Sequence, residues 1–257
     1  MIYGHMVADL GKCLKDDEDV KVYLSQNGKF VYKYTKADNS HEYNLMKDLK
    51  SPNTVPPIAY IKGQKGYWNC LVMHAYELGD AFTLVENPDV PVSEQVVKQI
   101  IFDVIKGLIF LRKKNVCHHD IKPENIFLVK KSNIIHAIIG DFGLSEYIYN
   151  NKNQNKYCGT TFYAAPEILE TKSYSFSCDM WSLGITMYVL LTKSYPFEGT
   201  IPEILKEQLS SKSLSLPANI SDDAQDFLNK LVCIDPDARM TPEEAIKHSW
   251  FKGISSI

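Results

Sequence analysis

The prevailing hydrophobic period of this chain changes near residue 93, and that change limits the folds open to it. Before it, β-prone residues alternate in short runs. The stretch from Lys21 to Lys36 alternates around Gln26-Asn27-Gly28-Lys29, a turn that predicts a hairpin with Phe30-Val31-Tyr32-Lys33 in its second strand. Residues 41–50 set Leu45, Met46 and Leu49 at helical spacing and stop before Pro52, which predicts a short amphipathic helix. Further strands are expected around Ala59 to Lys62 and Trp68 to His74. From Ser93 onward, Val96, Val97, Ile100, Ile101, Val104, Ile105, Leu108 and Ile109 recur every three or four residues, predicting a long helix of about six turns. Later helices are expected from Asp179 to Leu191, Pro202 to Leu209, Asp222 to Val232 and Thr241 to His248. The last opens with Thr241-Pro242-Glu243-Glu244, which supplies a cap, a proline at the first helical position and acids in the first turn. Strands first and helices afterwards imply an α+β protein, a small β-rich lobe packed on a larger α-helical one. A length of 257 residues suits one bilobal domain.

Composition removes several function classes. Apolar residues make up 45% and charged residues 23%, ordinary for a globular chain. No apolar run approaches the roughly 18–20 residues needed to span a bilayer. The opening Met-Ile-Tyr-Gly-His-Met lacks the basic and apolar regions of a secretory signal. A net charge of −3 gives no reason to expect a nucleic-acid partner. Cysteines 13, 70, 117, 158, 178 and 233 lie scattered without a Cys-x-x-Cys pair, so neither a zinc site nor a disulfide framework is expected. The expectation is a reduced, soluble, intracellular protein, cytoplasmic or nuclear, with no membrane partner. Of the 28 basic residues only Arg112 and Arg239 are arginine, so each arginine kept is informative.

Two short motifs carry the chemistry. Residues 118–125 read His-His-Asp-Ile-Lys-Pro-Glu-Asn, and sixteen positions after Asn125 comes Asp141-Phe142-Gly143. Each adjoins an apolar run suited to a strand, Asn125 to Val129 and His136 to Ile139. Either motif alone is an ordinary polar turn. Together they offer a carboxylate to accept a hydroxyl proton, a lysine to neutralise a moving phosphoryl group, and a carboxylate and amide oxygen for a hard cation. From about residue 28 to residue 251 the chain resembles eukaryotic-type serine/threonine protein kinases. Gly184-Ile-Thr-Met-Tyr-Val-Leu-Leu and His248-Ser-Trp-Phe resemble the calcium/calmodulin-dependent group.

The resemblance implies a bilobal protein kinase fold within one domain over residues 1–257: an N-lobe of about 1–73, a hinge of about 74–79 and a C-lobe of about 80–257. It implies transfer of the γ-phosphoryl of ATP, with Mg2+, to Ser or Thr hydroxyls of a protein substrate. The alternative is a pseudokinase, a nucleotide-binding or scaffold module of the same fold. Asp120 and Lys122 take the catalytic positions, and Asn125 and Asp141 those of the metal ligands. Lys33 falls where the family holds its phosphate-binding strand lysine, with Glu42 as its orienting carboxylate. Val22, Val31, Met73 and Phe127 would line the nucleotide pocket, with Met73 guarding its back and Phe127 forming its floor. The backbone of His74 and Tyr76 would meet the adenine edge, and Asp80 the ribose or a basic substrate residue. Thr160 would bond Asp120 and Lys122, Asp179 would brace the catalytic loop, and Arg239 would pair with Glu167.

Three departures from the family pattern matter. The glycine-rich phosphate loop, expected over Gly11 to Val22, lacks its second and third glycines and runs about three residues long, with Asp16, Asp17, Glu18 and Asp19 within it. Those acids either point to solvent on an enlarged loop or weaken nucleotide binding. His119 replaces the arginine that answers an activation-loop phosphate, and Lys156 stands at the usual phosphosite, so control by phosphate on that loop is not expected. Ser145, Tyr147, Tyr149, Tyr157 and Thr161 remain as possible acceptors. The calmodulin-binding tail of the resembled group does not follow Phe251, so calmodulin control is not implied.

Overall fold

The computed structural model describes residues 9–64, 68–86, 92–148, 159–172, 174–211 and 213–254. Strand alternation near the N-terminus becomes one antiparallel sheet of five strands: β1 (Leu10–Asp16), β2 (Val20–Ser25), β3 (Phe30–Thr35), β4 (Pro57–Ile61) and β5 (Asn69–His74), in the order β1-β2-β3-β5-β4. Register pairs Val31 with Met73 and Lys33 with Leu71 on one face, and Tyr32 with Val72 and Tyr34 with Cys70 on the other. Tyr32, Cys70 and Val72 form a small separate cluster on their face. Leu71 and Met73 join the main core. Between β3 and β4, helix α1 (Ser40–Asp48) buries Glu42, Leu45 and Met46.

The rest is mainly helical. After the short α2 (Thr83–Glu86), the long periodic stretch forms α3 (Glu94–Lys113), capped by Ser93, whose hydroxyl accepts the Val96 N–H at 3.3 Å. Strands β6 (Val116–Cys117) and β9 (Glu146–Tyr147) pair briefly around a hairpin of β7 (Ile126–Lys131) and β8 (Ile134–Ile139), and β8 packs on α3. Helix α4 (Pro166–Leu169) leads to the central α5 (Ser177–Thr192), followed by α6 (Ile201–Ser210), α7 (Asp222–Leu231) and α8 (Pro242–Ala245). Twelve of the sixteen residues of α5 are buried, so it is apolar almost all round and acts as the spine of the lobe. Among the described residues no helix is long and apolar enough to cross a membrane.

Two expectations need correction. The helix foreseen from Thr241 to His248 stops at Ala245, and a 3-10 turn follows at Ser249–Phe251. There the His248 ring accepts the Trp250 N–H at 3.2 Å, and the bend carries Trp250 and Phe251 onto Phe227. Burying two large aromatic rings outweighs another turn of helix. The second correction concerns Gly11 to Val22. It is no enlarged loop, because β1 extends to Asp16 and Asp17 to Asp19 close a short turn, with the Asp17 N–H on Val20 O at 2.9 Å. The extra length is taken up by register shifts between Leu10 and Cys13 and between Cys13 and Lys15. Gly11 sits so close to β2 that a Cβ there would lie 3.0 Å from the carbonyls of Leu24 and Ser25.

Arg239 ties the end of the chain to the middle. Its side chain is fully buried and all five N–H donors are used. Two meet Glu167 as a fork, at 2.6 and 2.8 Å, and the others reach the carbonyls of Cys233, Ser177 and Ile234. The guanidinium also lies over the Trp181 ring, 5.0 Å from its centre. A lysine matches neither the fork nor the stack.

Candidate active site

Lys33 sits on the inner face of β3, and three elements meet at its ammonium. Its Nζ donates to Glu42 Oε1 at 2.9 Å and Oε2 at 3.0 Å from α1, and to Asp141 Oδ1 at 2.8 Å from the loop after β8. Loss of hydration works against the charge on Lys33, but the two carboxylates outweigh it and raise its pKa. Burial pushes the Glu42 carboxyl up. Burial also pushes Asp141 upward, yet Lys33 wins there and the group settles at about 2. Asp141 adopts a left-handed φ of 55°, and its Oδ1 also accepts the Gly143 N–H at 3.2 Å. The motif thus turns a carboxylate back toward the sheet while Phe142 is fully buried beneath it.

The loop between β6 and β7 is held from several sides. Asp179, in the first turn of α5, accepts the N–H groups of His118 and His119 at 2.8 Å each. His118 takes the Asp120 N–H on Nδ1 at 3.3 Å, so Nε2 carries the proton and donates to Gly140 O at 3.0 Å. Burial lowers its pKa, which keeps the ring neutral. Asp120 is ringed by donors: Asn125 Nδ2 at 2.8 Å and Lys122 Nζ at 2.8 Å on Oδ2, Thr160 Oγ1 at 2.7 Å and Thr160 N at 3.1 Å on Oδ1. Lys122 also donates to Thr160 Oγ1 at 2.6 Å. The segment carrying Thr160 is pressed onto this loop: Gly159 has φ 89°, and a Cβ there would collide with His119 O.

Above these groups lies the β1–β2 hairpin. Its acids are exposed and face lysines: Asp16 meets Lys21 at 2.6 Å, Asp17 meets Lys15 at 2.9 Å, and Lys36 serves Glu18 at 3.5 Å and Asp19 at 3.3 Å. Of the two outcomes left open, the acids take the solvent-facing one. Val22 pairs with Lys33 in register, and the half-buried Val31 packs on the main core with Met73. Past β5, the Ala75 N–H donates to Lys29 O at 2.9 Å. Tyr76 stacks on Phe127, with ring centres 5.6 Å apart. Asp80 is spent locally, its Oδ1 accepting the Phe82 N–H at 3.0 Å, and burial raises its pKa.

The protein kinase domain model matches residues 12–251. The chain is 31% identical to myosin light chain kinase A of Dictyostelium discoideum, over 91% of this chain and 84% of that one. It is 30% identical to the Aurora kinase of Saccharomyces cerevisiae, over 94% of this chain and 68% of the relative. It is also 30% identical to calcium-dependent protein kinase 3 of Plasmodium yoelii yoelii, over 97% of this chain and 46% of the relative. The chain belongs to the protein kinase family. It is a serine/threonine protein kinase of the bilobal α+β fold, and it works on protein substrates with ATP and Mg2+. Nothing among these relatives favours the pseudokinase alternative.

The kinase's donor set also fits a hard cation. Asn125 spends its amide nitrogen on Asp120, through Oδ2 and the backbone carbonyl at 2.8 Å each, so its amide oxygen and the Asp141 carboxylate are oxygen donors of the kind a hard cation takes. Two features of the site depend on the tertiary structure. Ser145 is 1% exposed and donates to His118 O at 3.2 Å, so it is no accessible phosphate acceptor. Cys117 and Cys178, far apart in sequence, lie 3.5 Å apart at Sγ, with His119 Nδ1 3.5 Å from Cys117 Sγ. Only the spacing of Cys117 before His118 and of Cys178 before Asp179 hinted at it, since Asp179 binds the loop. Tyr149, Lys156, Tyr157 and Cys158 lie outside the described residues.

Proposed function

We propose that Asp120 orients the acceptor hydroxyl and takes its proton, that Lys122 offsets charge on the transferred phosphoryl group, and that Lys33, steadied by Glu42, binds the α- and β-phosphates of ATP. The observation that carries this reading is the ring joining Asp120, Lys122 and Thr160, which places a carboxylate, an ammonium and a hydroxyl within 2.6–2.8 Å of one another. A preset group of that kind needs little rearrangement when the acceptor arrives. Asp141 and the Asn125 oxygen would hold Mg2+, which when bound would offset the charge on the phosphates. The Ala75–Lys29 bond supports the assignment of the hinge. The backbone groups of His74 and the N–H of Tyr76 would meet the adenine edge, while the Tyr76 carbonyl accepts the Gly79 N–H at 3.0 Å. Val22, Val31, Met73 and Phe127 would enclose the base, within a single domain whose hinge falls at about 74–79. The caged Asp80 serves the ribose less than the turn it closes.

Control by activation-loop phosphate is not part of this reading. His119 is 6% exposed and faces sulfur and Tyr174 rather than solvent, so it is no phosphate receptor. Calmodulin, nucleic acid and membrane are likewise no part of it, and a cytoplasmic or nuclear setting is consistent with the free thiols. The test is a thermal-shift titration with ATP, with and without magnesium, beside transfer of labelled γ-phosphate to Ser/Thr peptides. Wild type should show magnesium-dependent stabilisation and transfer, and Asp141→Ala should lose both. Equal stabilisation of the two proteins in EDTA and in magnesium would remove Asp141 from the metal site.

A further inference from the structure

Directly behind the catalytic loop, three side chains with metal-binding atoms converge in the core. Cys117 Sγ lies 3.5 Å from Cys178 Sγ and 3.5 Å from His119 Nδ1, and Cys178 Sγ lies 3.8 Å from that nitrogen. All three residues are buried. Among the described residues this is the one group of three or more His, Cys, Asp or Glu whose donor atoms all lie within 4.8 Å of one another.

We propose that Cys117, His119 and Cys178 give three ligands to one zinc ion, whose fourth tetrahedral position takes a water, at a site distinct from the magnesium site of ATP. Zinc takes thiolate sulfur at about 2.3 Å and imidazole nitrogen at about 2.0–2.1 Å, so tetrahedral angles set two sulfurs about 3.8 Å apart and sulfur and nitrogen about 3.6 Å apart. The spacings here, 3.5, 3.5 and 3.8 Å, need shifts of only about 0.3 Å to match. Binding releases the two thiol protons to solvent, and the dication balances the two thiolates. The proton that Cys117 shares with Asp179 Oδ2 at 3.2 Å is one of the two. The cation then also offsets the repulsion between that thiolate and the carboxylate.

His119 is aimed at this point by its backbone. Its φ of 69° and its N–H bond to Asp179 Oδ1 direct the ring inward, and Tyr174 packs edge-on against it at 4.9 Å. An arginine at this position has no lone pair to give a metal, so the exchange to histidine is what completes the donor set. Two donors, Cys117 and His119, lie within three residues of Asp120, so the ion would fasten the catalytic loop to the start of α5.

The site is tested by binding, independently of phosphoryl transfer. Protein purified without chelator should carry about one zinc per chain by elemental mass spectrometry. Titration of the metal-stripped protein with Co2+ should produce thiolate-to-cobalt charge-transfer absorption and tetrahedral ligand-field bands. Cys178→Ser and His119→Arg should lose both signals, while Cys70→Ser, at a buried cysteine elsewhere, should keep them. His119→Arg restores the residue of the resembled family, so it guards against a Cys178 variant that fails to fold. Folded wild type without zinc and without cobalt bands would overturn the proposal. So would bands that survive both site variants, or a Cys117–Cys178 disulfide in protein that takes up no metal after reduction.

Discussion

The β1–β2 hairpin tip and the catalytic loop use the same residue types, lysines and carboxylates, and hold them in opposite ways. At the tip each acid has a single lysine partner, and Glu18 and Asp19 share one, on side chains that stand in water. In the loop, Asp120 has four donors to its carboxylate and Asp179 three, two of them backbone N–H groups that cannot swing away. Water screens the first arrangement and ordering long side chains costs entropy, so such pairs contribute little. The second is shielded and built on fixed donors, which makes it both strong and intolerant of loss. On the proposed reading, nucleotide phosphates would meet an adaptable hairpin and a rigid catalytic loop. Lys33 joins the two, rooted in the sheet and bonded to the loop carboxylate Asp141.

The sharpest way to break this contrast is in the catalytic loop. Asp120→Asn keeps the shape of the side chain but removes its charge. It should lower kcat for peptide phosphorylation by about 10²–10⁴-fold with little change in nucleotide affinity, measured by steady-state kinetics and calorimetry. A wild-type rate would show that the ring of donors is structural only. Next in size is the buried fork: Glu167→Ala strands the Arg239 charge and should cost about 3–5 kcal/mol of stability by denaturant unfolding. At the tip, Lys15→Ala should cost below about 1 kcal/mol, and a comparable loss at both places would erase the distinction.

Acid sharpens the comparison through Asp141. Its pKa in the folded protein, about 2, lies below the usual value of about 3.9, so the carboxylate stabilises the fold above that usual value. That contribution is lost as pH falls through about 2. Unfolding curves between about pH 4 and 2 should therefore fall more steeply for wild type than for Asp141→Asn. Parallel curves would mean that Lys33 and Asp141 are not energetically linked. The smallest effect is expected from neutralising the tip. Asp17→Asn with Glu18→Gln should lower KM for ATP by less than about threefold, and salt should abolish the difference within the Debye length of about 8 Å. A larger, salt-resistant change would place those acids against the phosphates.

Much of the fold was readable because its signals are local. Alternation around Asn27-Gly28, the three-and-four spacing from Val96 to Leu108 and the Ser93 cap each act within a few residues, and the strands and helices follow them closely. The site motifs were readable for a related reason: Asp120, Lys122, Asn125 and Asp141 lie on two short loops whose flanking strands pair with each other. What could not be read depends on segments that meet only after folding. The sequence leaves open whether the tip acids point to solvent or weaken nucleotide binding, and the hairpin register that sets lysines beside them is a tertiary outcome. Ser145 reads as an exposed hydroxyl until β9 and the His118 carbonyl cover it. The chain by itself therefore determined the elements, their order and the chemical groups offered, because period and turn chemistry act over short distances. Only the tertiary structure decided that all five donors of Arg239 are satisfied and that Cys117, His119 and Cys178 share one point in the core. Glu167 lies 72 positions from Arg239 and Cys178 lies 61 from Cys117, and no local preference of the chain carries that information.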